Sequence, residues 1–142
     1  MNKSKIVISS GVNQDIDNYI NAVTQYGAEV IVVSPNEMHI IKDLKFEGLV
    51  LTGGGDVSPS LYSDRMGSSD DNMCFGTSVE RDETEFALIK KALANNTPIL
   101  GICRGMHMIN LYFGGKIKKN LNNKEKKLHL KNHHSVFLEN KI

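Results

Sequence analysis

Between Ile99 and Gly115 the chain reads Ile-Leu-Gly-Ile-Cys-Arg-Gly-Met-His-Met-Ile-Asn-Leu-Tyr-Phe-Gly-Gly, and this stretch constrains the fold most. Thr97-Pro98 introduces a short apolar run of strand character, and Gly114-Gly115 stops an apolar helix. Between them, Gly-x-Cys-x-Gly turns a strand abruptly into a helix. A nucleophile on such an elbow stands clear of the sheet, in a tight backbone that only small flanking residues permit. Amides of the helix's first turn point at it and favour a thiolate. The pattern marks Cys103 as a candidate nucleophile. A lone cysteine is otherwise most often a small buried hydrophobe.

The flanking sequence supplies a sheet for that elbow. Ile6 to Ser9 is an apolar run closed by Ser10-Gly11, as in a buried parallel strand. Asn13 is placed to cap the next element, in which Ile16, Tyr19, Ile20, Val23 and Tyr26 recur at helical spacing up to Gly27. Ala28 to Val33 is a β-branched strand stopped by Ser34-Pro35, a helical turn is expected within Asn36 to Lys45, and Phe46 to Leu51 is a third strand. Asp82 with Glu85 reads as a capping box. It opens a helix whose buried stripe is Phe86, Ile89, Ala92 and Leu93. Ile99 to Ile102 is the fourth strand, and the helix after it is apolar almost all round, which predicts burial. This alternation is that of a doubly wound α/β domain.

The third strand runs into Thr52-Gly53-Gly54-Gly55-Asp56. Glycines at the C-terminal end of a strand allow close backbone approach to a ligand, where open α/β sheets bind them. A flexible turn is the other reading. No Gly-Lys-Ser/Thr follows, so this is not a P-loop.

Composition excludes several classes of function. The net charge is +1 over 142 residues, with 40% hydrophobic and 23% charged. One soluble domain fits these values, and nothing in them points to nucleic acid or a membrane. Cys74 and Cys103 do not resemble a disulfide framework, which suits a reducing cytoplasm. Val57 to Val79 reads as a long loop, and the spacing of Asp64, Asp70 and Asp71 matches no calcium loop. From Lys116 onward there are eight lysines against two glutamates. We read that segment as a β-hairpin pairing Lys116–Leu121 with Leu128–Leu138, because no aromatic residues interleave the charge as in single-strand nucleic-acid surfaces. His39 and His129 have no supporting context. His133 and His134 point to opposite faces of a strand and cannot share a metal. No metal or cofactor is expected.

Three segments carry a family resemblance: Gly48 to Asp56, Arg81-Asp82-Glu83-Thr84-Glu85, and Pro98 to Met106. In order and in kind they resemble the class I glutamine amidotransferase superfamily, and within it the γ-glutamyl-γ-aminobutyrate hydrolase-like branch, the C26 cysteine peptidases. The likeness covers nearly the whole chain. It implies one domain, residues 1–142, of flavodoxin-like α/β fold, an open and mostly parallel sheet with helices on both faces plus the C-terminal hairpin. It implies a Cys-His-Glu triad with Cys103 attacking a γ-glutamyl amide to give a thioester, and backbone amides of Gly54 and Arg104 as the oxyanion hole. Gly53, Gly55 and His107 fall at substrate-binding positions. The implied partners are a small γ-glutamyl substrate and either a synthase protein or a second copy of the chain.

Two departures from the family pattern bear on activity. The triad His and Glu are expected downstream of Ile142, which implies a C-terminally truncated, incomplete domain. A non-catalytic binding or scaffold role is the alternative that follows. His107 stands where the family commonly has Gln. It lies one helical turn beyond Cys103, as a residue within reach of the thiol or as one packed beside it.

Overall fold

The computed structural model describes residues 3–62 and 74–117. Four strands form one parallel sheet: β1 (Lys5–Ser9), β2 (Glu29–Val33), β3 (Gly48–Leu51) and β4 (Ile99–Gly101), in the order β2-β1-β3-β4. Val7 sits between Ile31 and Leu49, and Leu49 in turn opposes Ile99. This is the flavodoxin-like order as far as its fourth strand.

The apolar runs become strands because both faces of the sheet are covered. Alternate residues go to alternate sides. Ile8 and Val50 face helix α1 (Asp17–Thr24), packing with Ile16, Tyr19, Ile20 and Val23. Val7, Leu49 and Leu51 face helices α2 (Val79–Ala94) and α3 (Arg104–Tyr112), against Leu88, Ile89, Met108 and Leu111. The predicted turn after β2 is a 3-10 helix, Pro35–Ile40, opened by a Ser34–Glu37 capping box. Hydrogen bonds from the Ser34 backbone and hydroxyl hold the Glu37 carboxyl below its usual range.

Several local expectations are corrected. Asn13 does not cap α1: it takes a positive φ of 54°, and the cap position is Ile16 with no side-chain bond. Asp82 does not open α2. The helix begins three residues earlier, with Ser78 Oγ accepting from the Arg81 N–H at 3.2 Å. Leu88 rather than Leu93 completes the buried stripe of α2. Helix α3 is not buried all round, since Met106 is 54% exposed, and Phe113, the residue that caps its C-terminal end, is 67% exposed. The stretch predicted as a loop from Val57 contains the 3-10 turn Pro59–Leu61, and Val57 and Tyr62 join the core. Asp64, Asp70, Asp71, the C-terminal hairpin, His129, His133 and His134 lie outside the described residues.

Helix α3 approaches the sheet so closely that the first-turn residue at the contact has to lack a side chain. A Cβ on Gly105 would stand 2.3 Å from the Leu51 carbonyl oxygen and 2.7 Å from the Leu51 Cβ. Neither atom can swing aside. Gly105→Ala is therefore expected to cost about 2 kcal/mol or more, as overpacking does, read as a fall in the urea midpoint with unchanged slope. An unchanged midpoint contradicts this packing.

Candidate active site

At the C-terminal edge of the sheet, β4 ends in the elbow anticipated by the sequence. Ile102 N–H continues the ladder to Leu51 O at 3.0 Å, and then the chain reverses. Cys103 has φ 54° and ψ −109°, a conformation rarely open to a residue with a Cβ. Holding it costs on the order of 1–3 kcal/mol, which the surroundings must offset. They do so through the two flanking glycines. A Cβ on Gly101 would fall 2.6 Å from Gly105 O, so the arms of the elbow meet backbone to backbone. Met106 N–H returns to Cys103 O at 3.0 Å and starts the helix. The Cys103 side chain is exposed and unpaired with Cys74.

Beside it lies the glycine segment after β3. A Cβ placed on Gly53 would contact the Cys103 Cβ at 3.6 Å, so the topology brings these two segments together. Gly54 has φ +142°, which glycine alone adopts with ease. Neither the Gly54 N–H nor the Arg104 N–H has an acceptor among the described residues. Gly55 is used differently: a Cβ there would stand 2.2 Å from Gly76 O, so it packs on backbone. The neighbouring Asp56 N–H donates to Phe75 O at 2.8 Å. His107 is half-buried on α3, and its imidazole has no hydrogen-bond partner among the described residues.

Beneath both segments is a cluster of charges that sequence reasoning missed. Arg81, Asp82 and Glu85 of α2 and Arg104 of α3 are all buried, at 6%, 0%, 0% and 3% exposure. Arg104 reaches both Asp82 Oδ1 and Glu85 Oε2. Arg81 Nε donates to Glu85 Oε1 at 2.9 Å, which also accepts from Ser9 Oγ at 2.9 Å. Asp82 Oδ2 accepts from the Ser58 N–H at 3.0 Å. Arg81 Nη2 donates to Thr52 Oγ1 at 3.0 Å and to Gly53 O at 2.9 Å. Two positive and two negative groups are thus mutually neutralised, and all four carboxylate oxygens have donors. Arg104 was expected to contribute only its backbone; its side chain ties the elbow to α2. The Arg-Asp-x-x-Glu spacing was the available signal, since i and i+4 share a helix face and i+1 lies beside them.

A cleft of about 680 Å³ between Lys42 and Pro98 lies at the opposite end of the strands. That is the wrong end for ligand binding in an open α/β sheet. Among the described residues no His, Cys, Asp and Glu are grouped to hold a metal, and no helix is long and apolar enough to cross a membrane.

A parallel sheet with helices on both faces, and a cysteine on a strained turn from strand to helix, define an α/β protein of the open-sheet kind. Comparison with known proteins makes this specific. Residues 3–142 match the model of the family Peptidase C26, and the chain belongs to that family. It is 39% identical over 107 residues to a putative glutamine amidotransferase-like protein of Lactococcus lactis subsp. lactis, covering 73% of this chain and 43% of that one. It is 34% identical over 116 residues to a putative glutamine amidotransferase of Schizosaccharomyces pombe, covering 82% and 45%. It is 30% identical over 110 residues to the γ-glutamyl-γ-aminobutyrate hydrolase of Escherichia coli O157:H7, covering 74% and 41%. The chain spans less than half the length of each of these relatives. Its fold is similar to a solved structure described as a putative GMP synthase subunit of Thermoplasma acidophilum. The TM-score is 0.55 and the identity 22%, over 80% of this chain and 47% of that one.

The charge cluster makes a stability prediction. Removing Arg104 strands two buried carboxylates with one cation, and breaking such a group costs about 3–5 kcal/mol. Arg104→Met is expected to lose that much by chemical denaturation, and adding Asp82→Asn to recover part of it. A loss under about 1 kcal/mol for the single variant, the size of a surface pair, contradicts the cluster.

Proposed function

We propose that this chain carries the nucleophile and the oxyanion-binding amides of a cysteine-dependent hydrolase of γ-glutamyl amides. The observation that supports this best is the exposed Cys103 on its elbow, next to Gly53, with the Gly54 and Arg104 amides unclaimed among the described residues. In the reaction, Cys103 Sγ attacks the side-chain carbonyl carbon. The carbonyl oxygen takes negative charge and is held by those two amides. The C–N bond breaks, the amine leaves with a proton, and a γ-glutamyl thioester remains on Cys103. Water then attacks the thioester, releasing the γ-carboxylate and restoring the thiol. Loss of one oxyanion donor typically costs roughly 3 kcal/mol of transition-state stabilisation.

The relatives' names support this substrate class, glutamine or a γ-glutamylated amine. The fold shared with a protein described as part of a GMP synthase suits a second setting, in which ammonia from glutamine passes to a partner. A non-catalytic binding role is the second reading. It is favoured by one observation: among the described residues no histidine is hydrogen-bonded to the Cys103 sulfur, so none of them stands ready to take its proton.

Hydrolysis of γ-glutamyl-p-nitroanilide separates the two. The chain is expected to release p-nitroaniline, and Cys103→Ala to fall to the uncatalysed rate. Equal rates for the two proteins refute the hydrolase reading and leave the binding role.

A further inference from the structure

We infer that Gln14 and Arg81 are positioning residues that jointly aim the Gly53–Gly54 peptide, so that the Gly54 N–H is presented to the oxyanion at Cys103. The inference rests on the reading of Cys103 as a nucleophile and adds the groups that fix its amide partner.

The Gly53 carbonyl oxygen is held twice, by Gln14 Nε2 at 3.0 Å and by Arg81 Nη2 at 2.9 Å. The Gly53 N–H is held as well, donating to Tyr19 Oη at 3.2 Å. The Gln14 amide cannot turn over without loss, because its Oε1 accepts from the Gly11 N–H at 2.8 Å. A primary amide with its oxygen so engaged must offer its nitrogen to the other side. The peptide after Gly53 is trans and planar, so fixing its C=O toward Gln14 and Arg81 turns the Gly54 N–H the opposite way. That N–H is the one without an acceptor among the described residues.

The setting makes this arrangement specific. Gly54 holds φ +142°, and a Cβ on it would stand 2.4 Å from Arg81 Nη1, so the guanidinium occupies the space where a side chain would be. A donor to the carbonyl oxygen of a peptide also polarises it and strengthens its N–H as a donor. Arg81 thus joins the charge cluster to the peptide, and Gln14 joins the loop after β1 to the same oxygen.

Two reactions of the same sulfur separate aim from general integrity. Attack on p-nitrophenyl acetate passes through a tetrahedral oxyanion, whereas alkylation by iodoacetamide displaces iodide and forms none. Burst acylation of Cys103 and its alkylation are measured for the wild-type chain, Cys103→Ala, Gln14→Met and Tyr19→Phe. We expect Gln14→Met to slow acylation by about tenfold or more, toward the roughly 10²–10³ of a lost oxyanion donor, with alkylation within about twofold of wild type. Tyr19→Phe removes only the acceptor for the Gly53 N–H and is expected to act in the same direction, which keeps the test intact where Gln14→Met does not fold. Undiminished acylation in both variants overturns the inference. An equal fall in acylation and alkylation also overturns it, because the residues then hold the fold rather than the amide. A wild-type chain whose burst persists in Cys103→Ala removes the nucleophile reading itself, and the inference falls with it.

Discussion

Four charges almost wholly shielded from water hold this structure's working end together. Arg81, Asp82, Glu85 and Arg104 sit where the ends of β1 and β3 meet α2 and the first turn of α3. Burying one ion alone costs several kcal/mol. The cluster is tolerable because its charges sum to zero and every carboxylate oxygen accepts a donor. A hydrophobic patch would give comparable stability without direction. The guanidinium groups instead reach specific oxygens, among them Thr52 Oγ1 and Gly53 O, and so fix the backbone of the loop that flanks Cys103.

The same economy of space runs through the elbow. Cys103 is held at a positive φ by a chain that closes on itself, with Gly101 against Gly105 and Gly105 against Leu51. Packing on the sheet holds α3 in register, and α3 in turn holds the strained residue. Cys103 is left exposed, while Gly101, Gly105 and Leu51 beside it pack backbone against backbone. An exposed sulfur with fixed neighbours is the arrangement that the proposed attack on a carbonyl requires.

Much of this was legible in the residues. Continuous apolar runs such as Ile6 to Ser9 announced parallel strands, because only strands covered on both faces lack a polar side. Gly101 and Gly105 around Cys103 announced the elbow, because their spacing answers a steric demand. What escaped was chemistry whose partners are far apart in sequence. Asp82 and Glu85 look like capping residues, since acids in a first helical turn suit either a free amide or a buried arginine. Arg104 supplies one of those arginines from another helix. Gln14 carried no signal at all, because its partner is a backbone carbonyl 39 residues along the chain. The all-apolar look of α3 misled for a related reason: Met106 within it and Phe113 just past its end remain exposed.

A covalent bond at one atom, the Cys103 sulfur, decides whether the proposed hydrolysis takes place. Intact-protein mass spectrometry of the chain mixed with a γ-glutamyl amide and quenched in acid measures that bond directly. A glutamyl adduct that maps to Cys103, is absent from Cys74 and disappears in Cys103→Ala is the predicted result. A chain that stays unmodified under turnover-length incubation, or an adduct on any other residue, contradicts it.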